Sequence, residues 1–151
     1  MAGNQNLKAR DIMHHPVQCV GEHQTLQDAA RMMRELDVGA VPICGDDNKL
    51  KGMITDRDIV TKCCAEGRDV SGVTAGELRG EVRWIDAGAD VRDVLDVMEQ
   101  YQIKRLPVID ENRQLVGLIS ESDLARNVSD DQLAEFVSKV FIPHRSSSSP
   151  A

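Results

Sequence analysis

Two stretches carry a hydroxyl and a carboxylate at the same spacing. "GMITDRDI" runs from Gly52 to Ile59 and "GLISESDL" from Gly117 to Leu124. Each reads glycine, two apolar residues, a hydroxyl, two residues, then aspartate. The hydroxyl of Thr55 or Ser120 can donate to a phosphate oxygen. The carboxylate of Asp58 or Asp123 can accept hydrogen bonds from two neighbouring ribose hydroxyls. The glycine lets a ligand or another backbone come close. If a strand passes directly into a helix here, the first unpaired N–H groups of that helix suit an anion. Together these features fit a ribose phosphate. The same spacing is also a capping box, in which both side chains satisfy backbone N–H groups. Thr25 and Asp28 share that spacing with no glycine ahead of them. One residue can serve as cap and as ligand contact, so both readings stand.

A second element accompanies each octapeptide. "VGAVP" (38–42) and "IKRLP" (103–107) place a proline near the start of a strand, which implies an edge or an unpaired N–H. Val38, Val41, Ile103 and Leu106 can form a slot for a flat base, and they suit an ordinary core strand equally. A phosphate needs a cation. Arg57 lies inside the first octapeptide, and Lys104 and Arg105 lie in the second strand segment. The second octapeptide has Ser122 in place of Arg57, and its Glu121 repels phosphate.

Cys19 and Cys44 stand where the other half of the chain has Trp84 and Ile109. Both are strand positions that can meet in space. A disulfide there closes a loop of about 25 residues, worth on the order of 3 kcal/mol in the chain-entropy model. In a reducing cytosol the same pair reads as two buried thiols. Cys63 and Cys64 are adjacent, unlike a zinc knuckle, and read as one inward and one exposed residue of a helix end. His14, His15 and His23 have no fixed scaffold, so no metal ligands are assigned. No nucleophile, base and orienting group converge in the pattern. No catalytic residue is assigned, and the chain reads as a non-enzyme.

These residues are positioned by an internal repeat. At an offset of 65, Val17 matches Val82, Asp28 matches Asp93, Met33 matches Met98, Pro42 matches Pro107, Gly52 matches Gly117 and Asp58 matches Asp123. Each copy has a short apolar run, "VQCV" or "VRWI". A helix follows with apolar residues at helical spacing: Leu26, Ala29, Ala30 and Met33, or Val91, Val94, Leu95 and Met98. Thr25 and Asp90 stand at the N-cap positions. Two strands then join through polar turns, "GDDNK" and "DENRQ", and a second helix begins near Asp56 or Glu121. The fold class is α+β, with two tandem β-α-β-β-α repeats. One repeat of about 50 residues struggles to bury enough surface alone, so the expectation is two sheets packed face to face around a pseudo-twofold axis. The predicted segments are a tail (1–8), repeat 1 (9–64), a linker (65–73), repeat 2 (74–127), a C-terminal helix (128–142) and a disordered tail (143–151). In that last helix Ser129 is a cap, with Leu133, Phe136, Val137 and Val140 as its apolar stripe.

Composition sets the outer limits. The chain has 151 residues, 41% hydrophobic and only 3% aromatic, with net charge −7. Its core is therefore aliphatic. A field of that sign argues against nucleic acid and anionic membrane as partners. No apolar run reaches the length of a membrane span, and no signal-peptide pattern opens the chain, so a cytoplasmic location is expected.

The duplicated Gly-apolar-apolar-[Ser/Thr]-x-x-Asp, the apolar-Pro strand and the openings "ARDIM" and "TAGEL" resemble the CBS domain, and the pair resembles a Bateman module, over about residues 9–127. "CVGEHQTL" and "PICGDD" are similar to stand-alone, hypoxia-responsive CBS-pair proteins. The resemblance implies a regulatory module in signal transduction or stress response. Its ligands would be adenosyl compounds such as AMP, ADP, ATP or S-adenosylmethionine, bound in clefts between the repeats, with no required cofactor. It implies that Asp58 and Asp123 hold ribose, that Thr55 and Ser120 lie near phosphate, and that residues around Val38–Val41 and Ile103–Leu106 line the base. It also implies a homodimer acting on an unknown protein partner. The alternatives are a redox-sensitive interaction protein using Cys19 and Cys44, and a structural dimer with empty clefts.

Overall fold

The computed structural model describes residues 6–141. Part of the predicted N-terminal tail and all of the Ser-rich tail at 143–151 lie outside the described residues. In chain order the elements are α1 (Ala9–Ile12), β1 (Val20–Gly21), α2 (Leu26–Leu36), β2 (Ala40–Cys44), β3 (Leu50–Thr55), α3 (Asp56–Ile59), α4 (Ala75–Leu78), β4 (Ile85–Asp86), α5 (Val91–Tyr101), β5 (Arg105–Ile109), β6 (Leu115–Ser120), α6 (Glu121–Asn127) and α7 (Asp130–Val140). A π-helical turn, Val60–Cys64, continues α3. The predicted mixed α+β class with two three-stranded sheets is what the chain forms, in the orders β1-β2-β3 and β4-β5-β6.

The chain divides into two compact units. The first-repeat unit holds Pro16–Val82 and Glu111–Leu115. Its sheet pairs β1 with β2 in parallel, Val20 opposite Ile43. It pairs β2 with β3 antiparallel, from Ala40 opposite Thr55 to Cys44 opposite Leu50. The expected strand at 17–20 shrinks to two residues, for a local reason. The Cys44 carbonyl accepts the Glu22 N–H at 3.0 Å, so Pro42, two residues earlier on β2, faces the same edge. Proline has no N–H to offer there, and the parallel ladder stops. The "VRWI" run shrinks likewise, with β4 beginning only at Ile85, opposite Val108.

Helix α2 buries Leu26, Ala29 and Met33. Its cap is reciprocal: the Asp28 N–H donates to Thr25 Oγ1 at 3.1 Å, and the Thr25 N–H to Asp28 Oδ2 at 3.2 Å. The helix ends at Asp37, whose φ of 57° is left-handed, while the Val38 N–H reaches back to the Met33 carbonyl at 3.0 Å. Helix α5 ends identically, at Gln102 with φ 53° and an Ile103 N–H on the Met98 carbonyl at 3.0 Å. This closure satisfies a carbonyl that the helix itself cannot. The start of α5 departs from expectation. Asp90 occupies the N-cap position, but its side chain makes no cap bond and pairs with Lys8 Nζ at 2.6 Å instead.

The second-repeat unit holds residues 6–15, 83–110 and 116–141. It includes α1, which in sequence opens the first repeat. The α1 amides of Ala9 and Arg10 donate to the carbonyls of Ala89 and Ala87, at 2.8 and 3.0 Å. In the first-repeat unit, Ala75 and Gly76 of α4 donate to Gln24 and Glu22, at 2.8 and 2.9 Å. Each unit thus takes its opening helix from the other stretch of sequence. The opening helices are also offset by 66 residues rather than 65.

Two aliphatic clusters fill the units. One is built on Val20, Leu26, Ile43 and Ile54, the other on Met98, Leu106, Ile119, Leu124 and Phe136. Ser129 caps α7 by accepting the Gln132 N–H at 3.2 Å. The predicted stripe of α7 is narrower than expected, because Phe136 and Val140 are buried whereas Val137 is 39% exposed. Among the described residues no helix is long and apolar enough to cross a membrane. Because Phe136 is fully buried, Phe136→Ala is expected to cost about 3–5 kcal/mol, read by urea denaturation. A loss below about 1 kcal/mol, the level of a surface change, would contradict this placement of α7.

Candidate functional site

In the first-repeat unit the end of β3 runs straight into α3. The Asp58 N–H donates to Thr55 Oγ1 at 3.0 Å, and the Thr55 N–H donates to Asp58 Oδ2 at 3.1 Å. The capping reading therefore holds. The second carboxylate oxygen faces a cation, with Lys62 Nζ 3.2 Å from Asp58 Oδ1. The Asp58 side chain remains 24% exposed. The β2–β3 register brings the second element alongside, since the Asp56 N–H donates to the Gly39 carbonyl at 2.9 Å. A side chain at position 39 would meet the Asp56 carboxylate at 3.1 Å. Val38 and Arg57 are both exposed at this corner. Val41 is not at the surface, because it is buried in the core cluster opposite Ile54. Gly52 is needed for a close approach: an added Cβ would lie 2.8 Å from the Arg79 Cβ.

The second-repeat unit repeats the turn but fills it. Asp123 Oδ2 accepts from the Ser120 N–H at 2.8 Å, the Ser120 hydroxyl at 3.1 Å and His14 Nδ1 at 2.8 Å. Asp123 Oδ1 accepts from Arg126 Nη2 at 2.8 Å. Asp123 is 2% exposed, the one buried charged residue among those described. Met13 packs on Gly117, where an added Cβ would collide with its side chain. Ile103 is half-buried at the rim, and Leu106 is buried in the core cluster. Lys104 sits 4.8 Å from the centre of the Phe141 ring, a cation–π contact. Arg105 opens β5 and is half-buried. Ser122 hydroxyl lies 3.1 Å from that of Ser120.

Three residues at these turns escaped the sequence reading. Lys62 and Arg126 were findable, since a cation four or three residues past an acid on a helix is a standard pair. His14 was not, because 109 residues separate it from Asp123.

Cys19 and Cys44 lie together at the β1 end of the first sheet. Gly21 pairs with Cys44 across the parallel ladder, and the two thiols hydrogen-bond. That bond lowers the Cys19 pKa to about 7, because the Cys44 S–H stabilises the Cys19 thiolate against the opposing cost of burial. The same bond, with burial, pushes the Cys44 thiol up. Cys63 is buried, with its Sγ 3.4 Å from the Arg68 carbonyl, and burial raises its pKa; Cys64 is exposed.

Two tandem sheets with a hydroxyl–acid turn after each hairpin define a class, and sequence comparison agrees. The chain belongs to the CBS domain family, whose model matches residues 9–64 and 75–130. It is 52% identical over 136 residues to hypoxic response protein 1 of Mycobacterium tuberculosis, covering 89% of this chain and 94% of that protein. It is 37% identical over 125 residues to the CBS domain-containing protein YhcV of Bacillus subtilis, covering 83% and 88% of the two chains. A crystal structure of hypoxic response protein I with two coordinated zinc ions superposes with a TM-score of 0.77, at 53% identity over 82% of this chain and all of that one. Among the described residues of the present chain, no three His, Cys, Asp or Glu side chains converge to hold a metal.

The thiol pair makes a pH-dependent prediction. The thiolate is the nucleophile, so alkylation of Cys19 by iodoacetamide rises through a midpoint near pH 7. Below that midpoint Cys19 is a protonated, slow thiol. In Cys44→Ala the midpoint moves up toward the ordinary value of about 8.5, followed by mass spectrometry of the Cys19 peptide. An unchanged midpoint would mean that Cys44 is not the stabilising donor.

Proposed function

We propose that this CBS pair is a regulatory, non-catalytic module that binds an adenine nucleotide at its hydroxyl–acid turn and passes the occupancy to a protein partner. The observation that carries the reading is the partly exposed Asp58 carboxylate with Lys62 on its Oδ1, flanked in the chain by exposed Arg57 and, on the segment whose Gly39 carbonyl accepts the Asp56 N–H, exposed Val38. Asp58 accepts the ribose hydroxyls. Thr55 and the cations Arg57 and Lys62 meet phosphate, where Arg offers a planar fork of donors and Lys a point charge. Val38 supplies the apolar rim against which a base packs. Were the second turn freed of its present contacts, the equivalent roles there would fall to Ser120, Asp123, Ile103 and Arg105, with Lys104 released from Phe141 for phosphate. Val41 and Leu106 support the slot from below. Leu36 and Val60 are exposed apolar side chains and are proposed to meet a second copy of the chain.

The test is calorimetric titration with AMP, ADP and ATP. Heat of binding that Asp58→Ala weakens at least tenfold is the expected outcome. A tenfold loss corresponds to about 1.4 kcal/mol, just under the lower end of the roughly 1.5–3 kcal/mol of a hydrogen bond to a charged group. Absence of heat with all three nucleotides would remove the reading.

A second reading rests on a separate observation, the hydrogen-bonded pair Cys19 and Cys44. The Cys19 thiolate is poised to attack an oxidant such as a small disulfide. Cys44 then displaces the mixed-disulfide partner, leaving the Cys19–Cys44 bond and two reduced thiols on the oxidant. The bond closes a loop of about 25 residues, worth on the order of 3 kcal/mol. Oxidised glutathione should therefore raise the melting temperature by several degrees and remove two titratable thiols. Retention of four alkylatable cysteines after oxidation would exclude the redox reading.

A further inference from the structure

Resting on the nucleotide reading above, we infer that the two turns are not equivalent sites: the segment Met13–His14 occupies the second, and only the first is open. Three contacts build the occupant. The His14 N–H donates to the Leu118 carbonyl at 3.0 Å, and the Leu118 N–H donates back to the His14 carbonyl at 3.2 Å. This forms an isolated antiparallel bridge onto β6. Met13 lies across Gly117, filling the space that the glycine leaves. The His14 ring, through Nδ1, holds Asp123 Oδ2 at 2.8 Å. An ionised carboxylate only accepts, so Nδ1 carries the proton in this contact.

The effect on the carboxylate is decisive. Asp123 holds four donors: the Ser120 amide and hydroxyl, His14 and Arg126. Three of them crowd Oδ2 and Arg126 takes one of the two lone-pair sites on Oδ1, so Asp123 cannot accept both hydroxyls of a ribose. It is also 2% exposed. Asp58 meets the Thr55 amide and Lys62, and its side chain is 24% exposed. Among the described residues no histidine bonds to Asp58; Arg79 covers Gly52 and faces Glu22 at 4.0 Å instead. The difference therefore lies in His14, together with the Ser120 hydroxyl, which donates to the carboxylate where the Thr55 hydroxyl accepts from the Asp58 N–H.

The latch can also open. The His14 side chain is 48% exposed and Arg126 is 66% exposed, so both can swing away from Asp123 without opening the core. Arg126 would then stand beside the freed carboxylate as the cation for phosphate. His14 is thus a selectivity residue that sets how many nucleotides one chain takes.

The experiment is ATP titration of four proteins: the unmodified chain, His14→Ala, Asp58→Ala and the double variant. The expected stoichiometries are one, two, zero and one ATP per chain, since His14→Ala opens the second turn and Asp58→Ala destroys the first. Far-ultraviolet circular dichroism and the urea midpoint check that each variant is folded. Two ATP bound by the unmodified chain, or still one by His14→Ala, overturns the latch and leaves the nucleotide reading standing. Zero in both the unmodified chain and His14→Ala removes that reading, and this inference falls with it.

Discussion

The fold turns on one recurring solution to one problem. A strand that runs directly into a helix leaves N–H groups with no partner, and an acid three residues on can take one of them. Thr25–Asp28, Thr55–Asp58 and Ser120–Asp123 all place a carboxylate oxygen on the preceding N–H. At Thr25 the arrangement is only a helix cap. At the other two it ends a hairpin, follows a close-packed glycine and gathers a cation onto the second carboxylate oxygen. A ligand hydroxyl offered to such a carboxylate competes with a modest cap bond. Where His14 and the Ser120 hydroxyl hold it as well, in a buried setting, the competition is against more charge-assisted bonds to the same carboxylate.

The repeat was legible because the residues that mark it have no freedom to vary in type. Pro42 and Pro107 end the parallel ladder, Gly52 and Gly117 admit a neighbouring side chain, and Asp58 and Asp123 close the cap. The hairpin strands β3 and β6 and the starts of α3 and α6 followed directly from that pattern. Cys19 comes near Cys44 because the parallel register sets Gly21 opposite Cys44, and both are free cysteines.

What was not legible depended on contacts far apart in the chain. The exchange of opening helices leaves no trace in periodicity, because Ala9 and Ala75 look alike and only their hydrogen-bond partners differ. Asp90 reads as a cap until Lys8 is brought within 2.6 Å of it. Lys104 reads as a free cation until the end of α7 lays Phe141 beneath it. Val137 reads as core because helical spacing fixes a direction but not how wide the covering surface is. His14 is the extreme case: an exposed loop residue that becomes a partner of the buried carboxylate only through the packing of α1 on the second sheet.

Duplication therefore made two copies of one turn, and packing gave them different chemistry. The amide nitrogen-15 and proton shifts of residues 55–58 and 120–123 report on each turn separately as ATP is added. The account predicts saturable shifts at Thr55, Asp56, Arg57 and Asp58, with Ser120 to Asp123 staying still. Shifts confined to Ser120–Asp123, or none at either turn at millimolar ATP, would contradict it.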